Sequence, residues 1–199
     1  MSLPLIKRKK SEKPTLEQLR GELKHIQYRQ RYYRTLATTA FTLVVVAAVT
    51  VLIAMLWLPI LEMYGTSMEP TLKEGDIVVS VATKEVQRGE IIAFYYGNKL
   101  LVKRCIALPG ETVSIDEDGN VYVNGIYIDE PYVQQKAVGD CDIEFPFEVP
   151  LEQYFVLGDH RETSLDSRNS VVGCVSYDQL CGRVVWRIWP LRDAGAVKS

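Results

Sequence analysis

The hydrophobic pattern changes character twice along the chain. From Thr15 to Arg34, Leu16, Leu19, Leu23 and Ile26 recur at 3-4-3 spacing among charged residues, which predicts an amphipathic helix. Thr15 with Gln18 fits a capping box at its start. From Leu36 to Leu61 the charges vanish: 26 residues, LATTAFTLVVVAAVTVLIAMLWLPIL, stand between Arg34 and Glu62. As a helix this run is roughly 39 Å long, enough to span a hydrocarbon core of ~30 Å with some tilt. A core helix of this length keeps a polar face, and a cleavable signal peptide has a shorter charged start and an apolar run of about 7–15 residues. The stretch therefore reads as one retained transmembrane helix.

Beyond Glu62 the period shortens to that of strands. Ile77–Ala82, Glu90–Tyr96 and Leu100–Leu108 are rich in β-branched, aromatic and aliphatic residues, and shorter runs follow at Thr112–Ile115, Val121–Val123, Ile126–Ile128, Tyr154–Leu157 and Arg183–Ile188. Gly97-Asn98, Asp118-Gly119 and Asn124-Gly125 punctuate them as two-residue turn signals. Short strands with frequent turns predict a mainly β fold, an antiparallel sheet domain behind one N-terminal transmembrane helix. The expected division is 1–35 basic and amphipathic, 36–61 membrane-spanning, 62–190 a β-rich domain, and 191–199 a loose tail.

Charge adds direction to this layout. The 199 residues carry a net charge of only −2, which excludes a uniformly basic nucleic-acid binder. Split at the apolar run, residues 1–34 hold ten Lys/Arg against three Glu, or +7, and the remainder is −9. Lys7–Lys10, Arg29, Arg31 and Arg34 precede the span, so the positive-inside bias keeps the N-terminus cytoplasmic and exports the 138 residues that follow Leu61. The basic helix reads as a surface element meeting anionic lipid head groups; a short coiled-coil contact is the alternative, although its stripe lapses at Gln30. Export places Cys105, Cys141, Cys174 and Cys181 where disulfides are allowed. Cys174 with Cys181 is the first pair to consider, and free buried thiols are the equal alternative.

Three segments carry candidate chemistry. Ser67 sits in Gly65-Thr66-Ser67-Met68-Glu69-Pro70-Thr71-Leu72, just past the span; by itself it could be a turn former or a nucleophile. If Gly97-Asn98 makes a two-residue hairpin, Tyr96 pairs with Lys99 and Ile92 with Lys103. That register puts Lys103 on one face with Ile92, Phe94, Leu101 and Cys105. Among such neighbours an ammonium loses hydration and its pKa falls, so the amine could take a proton from a Ser hydroxyl; a solvated or snorkelling Lys103 is the bland alternative. The third segment runs from Gly158-Asp159-His160 to Ser164-Leu165-Asp166-Ser167-Arg168. His160 leaves a Ser-His-Asp arrangement open beside a hydrogen-bonding loop role. His25, on the cytoplasmic side, cannot reach an exported Ser.

Together these segments resemble a known family. Ser67-Met68-x-Pro70-Thr71-Leu72 behind an anchor is similar to the nucleophile box of bacterial type I signal peptidases (leader peptidases), in their Gram-positive-like single-anchor form. Lys103-Arg104 followed by Leu108-Pro109-Gly110-Glu111 resembles the general-base box, which more usually ends in Asp. Gly75-Asp76-Ile77-Val78 and Gly89-Glu90-Ile91-Ile92 look like the strand entries between them, and Gly158-Asp159 through Ser164-x-Asp166-Ser167-Arg168 looks like the last box, with His160 where Asn is usual. The resemblance covers about Trp57 to Pro190.

This resemblance implies a membrane-bound serine endopeptidase, a Ser/Lys dyad hydrolase, that cleaves N-terminal signal peptides from exported preproteins. It implies Ser67 as nucleophile, Lys103 as general base, Ser164 orienting the amine, and Asp166 with Arg168 as a loop ion pair. The oxyanion would be held by the Ser67 backbone N–H. Gly65 stands where many Gram-negative members place a Ser donor, and an oxyanion donor is worth roughly 2.7–4 kcal/mol unless another substitutes. No metal or cofactor is implied. The expected partners are preproteins with small residues before the cut, the lipid bilayer and protein translocation machinery, with no nucleic acid. The expected location is the cell membrane, single-pass, with the catalytic domain extracytoplasmic. Trp186, Trp189 and the Met63-Tyr64 pair are candidates for docking on the membrane surface or for core packing. A non-catalytic membrane-anchored β interaction module is the alternative reading. A Ser/Lys self-cleaving regulator would need a DNA-binding helical domain.

Overall fold

The computed structural model describes residues 16–57 and 59–197. Lys7–Lys10 and the Thr15 cap lie outside them. The described chain forms two compact units, divided between Leu52 and Ile53.

The first unit is helical. The amphipathic and apolar segments form one uninterrupted helix, α1, Leu16–Trp57. Propensity alone would not keep the polar and apolar halves separate, because nothing between them breaks the hydrogen-bond ladder. Thr35, Thr38, Thr39, Thr42 and Thr50 each donate their hydroxyl to the carbonyl four residues earlier, which removes their polarity from the surface. Side chains from Arg20 to Ile53 are all exposed, Val44, Val46 and Leu52 among them. The helix stops short of the expected Leu61. Pro59 follows the helix end and has no N–H to continue the ladder. Ile60–Glu62 becomes strand β1 instead.

The second unit takes in the end of α1 and is otherwise mainly β. Its further strands are β2 Ile77–Val81, β3 Ile91–Tyr96, β4 Lys99–Ala107, β5 Thr112–Ile115, β6 Val121–Val123, β7 Ile126–Tyr127, β8 Phe147–Glu148, β9 Gln153–Leu157, β10 Val175–Ser176, β11 Leu180–Trp189 and β12 Gly195–Ala196. They make two antiparallel sheets, a larger one in the order β1-β2-β11-β3-β4-β9-β10 with β12 on β11, and a smaller one in the order β7-β6-β5-β8. This is the mainly antiparallel architecture that the pattern predicted. The β3–β4 hairpin has the register counted from Gly97-Asn98, with Tyr96 opposite Lys99 and Ile92 opposite Lys103. Asn124-Gly125 likewise joins β6 to β7 directly. Asp118-Gly119 instead lies within a longer connection whose ends are tied by Asp116, which accepts from the Asp118 and Asn120 amides.

Alternation sends successive residues of β3 to different cores. Ile91 and Ala93 pack with Met63, Met68, Leu72 and Val102, whereas Ile92 and Phe94 pack with Cys105, Tyr154 and Val156. A third cluster joins the two sheets, with Val113, Val121 and Val123 against Ile106, Phe155 and Leu157. Residues 191–197 are no loose tail: β12 pairs with Trp186 and Arg187, and Val197 donates to the Val185 carbonyl; the rest of the expected tail lies outside the described residues. All four cysteines are free thiols.

Candidate active site

The turn that carries Ser67 is fixed from below. Met68 and Leu72, each 1% exposed, anchor it in the core, while the Glu69 amide closes a turn on the Thr66 carbonyl at 3.0 Å. Ser67 itself is half-buried. Gly65 has φ of +78° with open space around it, so glycine is favoured there by backbone conformation rather than by crowding. Among the described residues the Ser67 amide donates to no protein group.

Lys103 comes from the middle of β4 and is only 3% exposed. Its Nζ donates to Ser164 Oγ at 3.0 Å. Burial strips water from the ammonium and pulls its pKa down to about 8; Asp166 and Asp159 oppose the drop and Arg168 assists it. Desolvation wins for a visible reason. Both nearby carboxylates are already bound to arginines, Asp166 to Arg168 at 2.8 Å and Asp159 to Arg104 at 2.7 Å. Little uncompensated negative charge is left to hold the proton.

The 158–168 loop brings the remaining groups inward. Ser164 is 1% exposed and its amide donates to the His160 carbonyl. Asp166 grips the Arg168 guanidinium with both oxygens and accepts the Gly158 amide at 2.9 Å. Gly158 is where the loop meets the nucleophile turn. A Cβ added there would fall 2.5 Å from the Ser67 carbonyl oxygen and 2.2 Å from Ser164 Oγ. The next link is the His160 amide, which donates to that same Ser67 carbonyl at 3.1 Å.

Ser67 and Lys103 line one cleft of about 490 Å³, with Met63, Tyr64, Leu101 and Val102 among its walls. No hydrogen bond joins the two side chains among the described residues, and apo catalytic contacts often tighten only with substrate bound. The cleft is bordered by strand edges. Among the described residues β1 pairs only with β2, and β4 meets β9 only from Arg104 onward, so residues 99–103 have one unpaired side. His160 faces elsewhere: its Nδ1 lies 2.7 Å from Thr163 Oγ1, and it lines a second, polar pocket with Glu69 and Glu162. Asp159 and Asp166 are occupied by arginines, so neither orients the imidazole.

Sequence reading passed over Glu130, Tyr132 and Arg161, all close to this loop. Glu130 binds Arg161, and Tyr132 stacks on Arg104 with the guanidinium carbon 3.8 Å from the ring centre. Glu130 and Arg161 lie 31 positions apart, too far for any local spacing rule to couple them. Among the described residues no group of three or more His, Cys, Asp or Glu side chains is placed to hold a metal ion.

Comparison with known proteins adds a lineage to the geometry. The family described as signal peptidase, peptidase S26, matches residues 35–189. Signal peptidase I of Bacillus amyloliquefaciens is 37% identical over 145 residues, covering 67% of this chain and 77% of the relative. A probable signal peptidase I-2 of Synechocystis is 37% identical over 66% of this chain and 63% of its own length. A crystal structure of a signal peptidase I from Enterococcus faecalis V583 is 33% identical, covering 50% of this chain and 96% of that one with a TM-score of 0.41.

Proposed function

The chain belongs to the signal peptidase, peptidase S26, family, and on that premise we propose a membrane-anchored serine endopeptidase that removes N-terminal signal peptides from exported preproteins with a Ser67/Lys103 dyad. The observation that carries the reading is Lys103: a buried amine with its pKa near 8, held by Ser164, on the wall of a cleft shared with Ser67. A neutral amine at working pH is a competent base for a hydroxyl that would otherwise stay protonated.

In this mechanism the preprotein lies extended in the cleft, using the unpaired edges of β1 and residues 99–103. Ser67 Oγ attacks the scissile carbonyl while Lys103 Nζ accepts its proton. The free Ser67 amide donates to the developing oxyanion. Lys103 returns the proton to the leaving amine, and an acyl-enzyme remains. Water, deprotonated by the same amine, then releases Ser67. Ser164 keeps the amine aimed at the reacting atoms, and the Asp166–Arg168 pair fixes the loop that carries Ser164.

α1 is long and apolar enough to cross a bilayer, and its exposed valines and leucines suit lipid rather than water. With Arg29, Arg31 and Arg34 on its N-terminal side, the chain is read as single-pass, N-terminus cytoplasmic, with the β domain outside. Trp186 and Trp189, each about half exposed, and Tyr64, 76% exposed, suit contact with the lipid interface, whereas Met63 belongs to the core. Substrates share the membrane, so enzyme and cleavage site meet in two dimensions.

The test is cleavage of a preprotein by full-length protein carrying Ser67→Ala or Lys103→Met. Each is expected to lose at least roughly 10³-fold in kcat. Full activity in either variant overturns the dyad. The wild-type rate should climb with pH and level off above about 8 as the amine loses its proton. A rise already complete well below pH 8 would overturn Lys103 as the base.

A further inference from the structure

Arg161 is 1% exposed. Its guanidinium forks onto Glu130, Nη1 to Oε2 at 2.9 Å and Nη2 to Oε1 at 2.5 Å. The remaining nitrogen, Nε, donates to the Gly158 carbonyl at 3.1 Å. Glu130 is 3% exposed and also accepts the Tyr132 hydroxyl at 3.0 Å. Taking two charges out of water costs about as much as their attraction returns, so such a pair is weak evidence for stabilisation. What it fixes is more informative.

Gly158 passes between the Ser67 carbonyl and the Ser164 hydroxyl with no room even for a methyl group. Its N–H is held by Asp166, itself clamped by Arg168. Its carbonyl is held by Arg161, itself clamped by Glu130. Two buried ion pairs therefore grip the peptide groups on either side of one Cα, and that Cα sets the separation of the nucleophile turn from Ser164.

We propose that Glu130 and Arg161 are positioning residues of the active site, acting through the Gly158 carbonyl to hold Ser67 in register with Ser164 and, through Ser164, with the Lys103 amine. This rests on the Ser67/Lys103 reading and extends it to a segment some 30 residues upstream. Neither residue lines the cleft shared by Ser67 and Lys103.

The experiment uses full-length protein in detergent with a preprotein substrate. Arg161→Lys keeps the charge but loses the fork and its third donor; Glu130→Gln keeps the shape and loses the charge. Both are expected to lower kcat roughly 10- to 100-fold, with KM within about twofold. The midpoint of the pH–rate rise should also move upward from about 8, because a displaced Ser164 admits water to an amine whose charged neighbours, Asp159, Asp166 and Arg168, are unchanged. Glu130→Asp, the mildest change, should fall between these variants and wild type and keeps the test alive if the others fold poorly. Val123→Ala, in the core of the smaller sheet, serves as a variant that loses stability alone, with kcat and pH midpoint unchanged. If Arg161→Lys and all Glu130 variants behave like Val123→Ala, the inference is overturned. Activity surviving in Lys103→Met would bring down the dyad; a dead Lys103→Met beside a fully active Arg161→Lys brings down only this inference.

Discussion

The two sheets of the β unit are built alike and filled differently. The smaller sheet closes on Val113, Val121, Val123, Val149 and Phe155, and its fixed carboxylate, Asp116, sits in a surface turn. The larger sheet and the loop against it enclose Arg104–Asp159, Arg161–Glu130 and Arg168–Asp166, each side chain at most 1% exposed. Apolar filling is graded, since each lost methylene costs in proportion to area and cavity. Ionic filling is nearly all-or-none, because removing one partner strands a buried charge. Around the site, which needs exact placement of a few atoms, the unforgiving material is added to the larger sheet's own apolar clusters, whereas the smaller sheet closes on the tolerant one.

The sharpest way to break this contrast is to make the ionic interior apolar. Arg104 binds Asp159 with Nε and Nη2, and Asp159 also accepts the Thr71 hydroxyl, so the pair ties β4 to the nucleophile turn. Arg104→Met alone should cost about 3–5 kcal/mol, read as a shift of the urea midpoint at constant m-value. Arg104→Met with Asp159→Leu should recover most of that stability while kcat stays depressed. Recovery of both would mean that the buried charges serve neither fold nor site. Failure of the double variant to regain stability would mean that they serve the fold after all.

Lys103 tests the same contrast with the opposite sign. Its pKa falls from 10.5 to about 8, so at pH 7 the folded state carries a buried cation that the unfolded chain would hold in water. That shift corresponds to a cost of about 3 kcal/mol, present in full below pH 8 and fading as pH climbs to 10.5, where the unfolded lysine also releases its proton. Lys103→Met should therefore stabilise the protein at pH 7 by about 2 kcal/mol after loss of the Ser164 hydrogen bond, even as activity disappears. The gain should fall to zero at about pH 10, where the remaining charge cost only matches the lost hydrogen bond, and turn into a small loss above it. A destabilised variant at pH 7 would show that Lys103 is held for structure.

These two interiors also differ in how far they can be read from sequence. The strands of the smaller sheet, and the β3–β4 register that seats Lys103, follow from period-2 alternation and two-residue turns, both local signals. The Asp166–Arg168 pair spans two positions, but spacing does not single it out: Asp159 and Arg161, equally close, pair with Arg104 and Glu130 instead, and it is the resemblance that implies it. Glu130 with Arg161, and Thr71 with Asp159 88 positions later, are set only by how the loops pack, which no window of sequence contains. Helix and strand compete at the end of the apolar run, where composition favours one span to Leu61. Pro59 and the pairing of Ile60 with Val79 decide for a strand.

The smallest expected effect lies at the joint between the sheets. Glu111 stands at the end of the Leu108-Pro109-Gly110 turn. Its Oε2 accepts the Leu108 amide at 2.7 Å, while Oε1 meets Arg88 beside β3 and Asn124 in the β6–β7 turn. An Asp could still cap the turn, but one methylene less leaves it short of the other two partners. The ion pair is partly open to solvent, with side chains 34% and 19% exposed, so screening holds its worth to about 0.5 kcal/mol. Glu111→Asp should thus shift the urea midpoint only slightly and leave kcat unchanged, and a double-mutant cycle with Arg88→Ala should return a coupling of about 0.5 kcal/mol. A coupling above roughly 2 kcal/mol would mean the sheets are latched by charge at their seam. The apolar contact of Ile106 and Phe155 with the small-sheet valines would then no longer be what joins them.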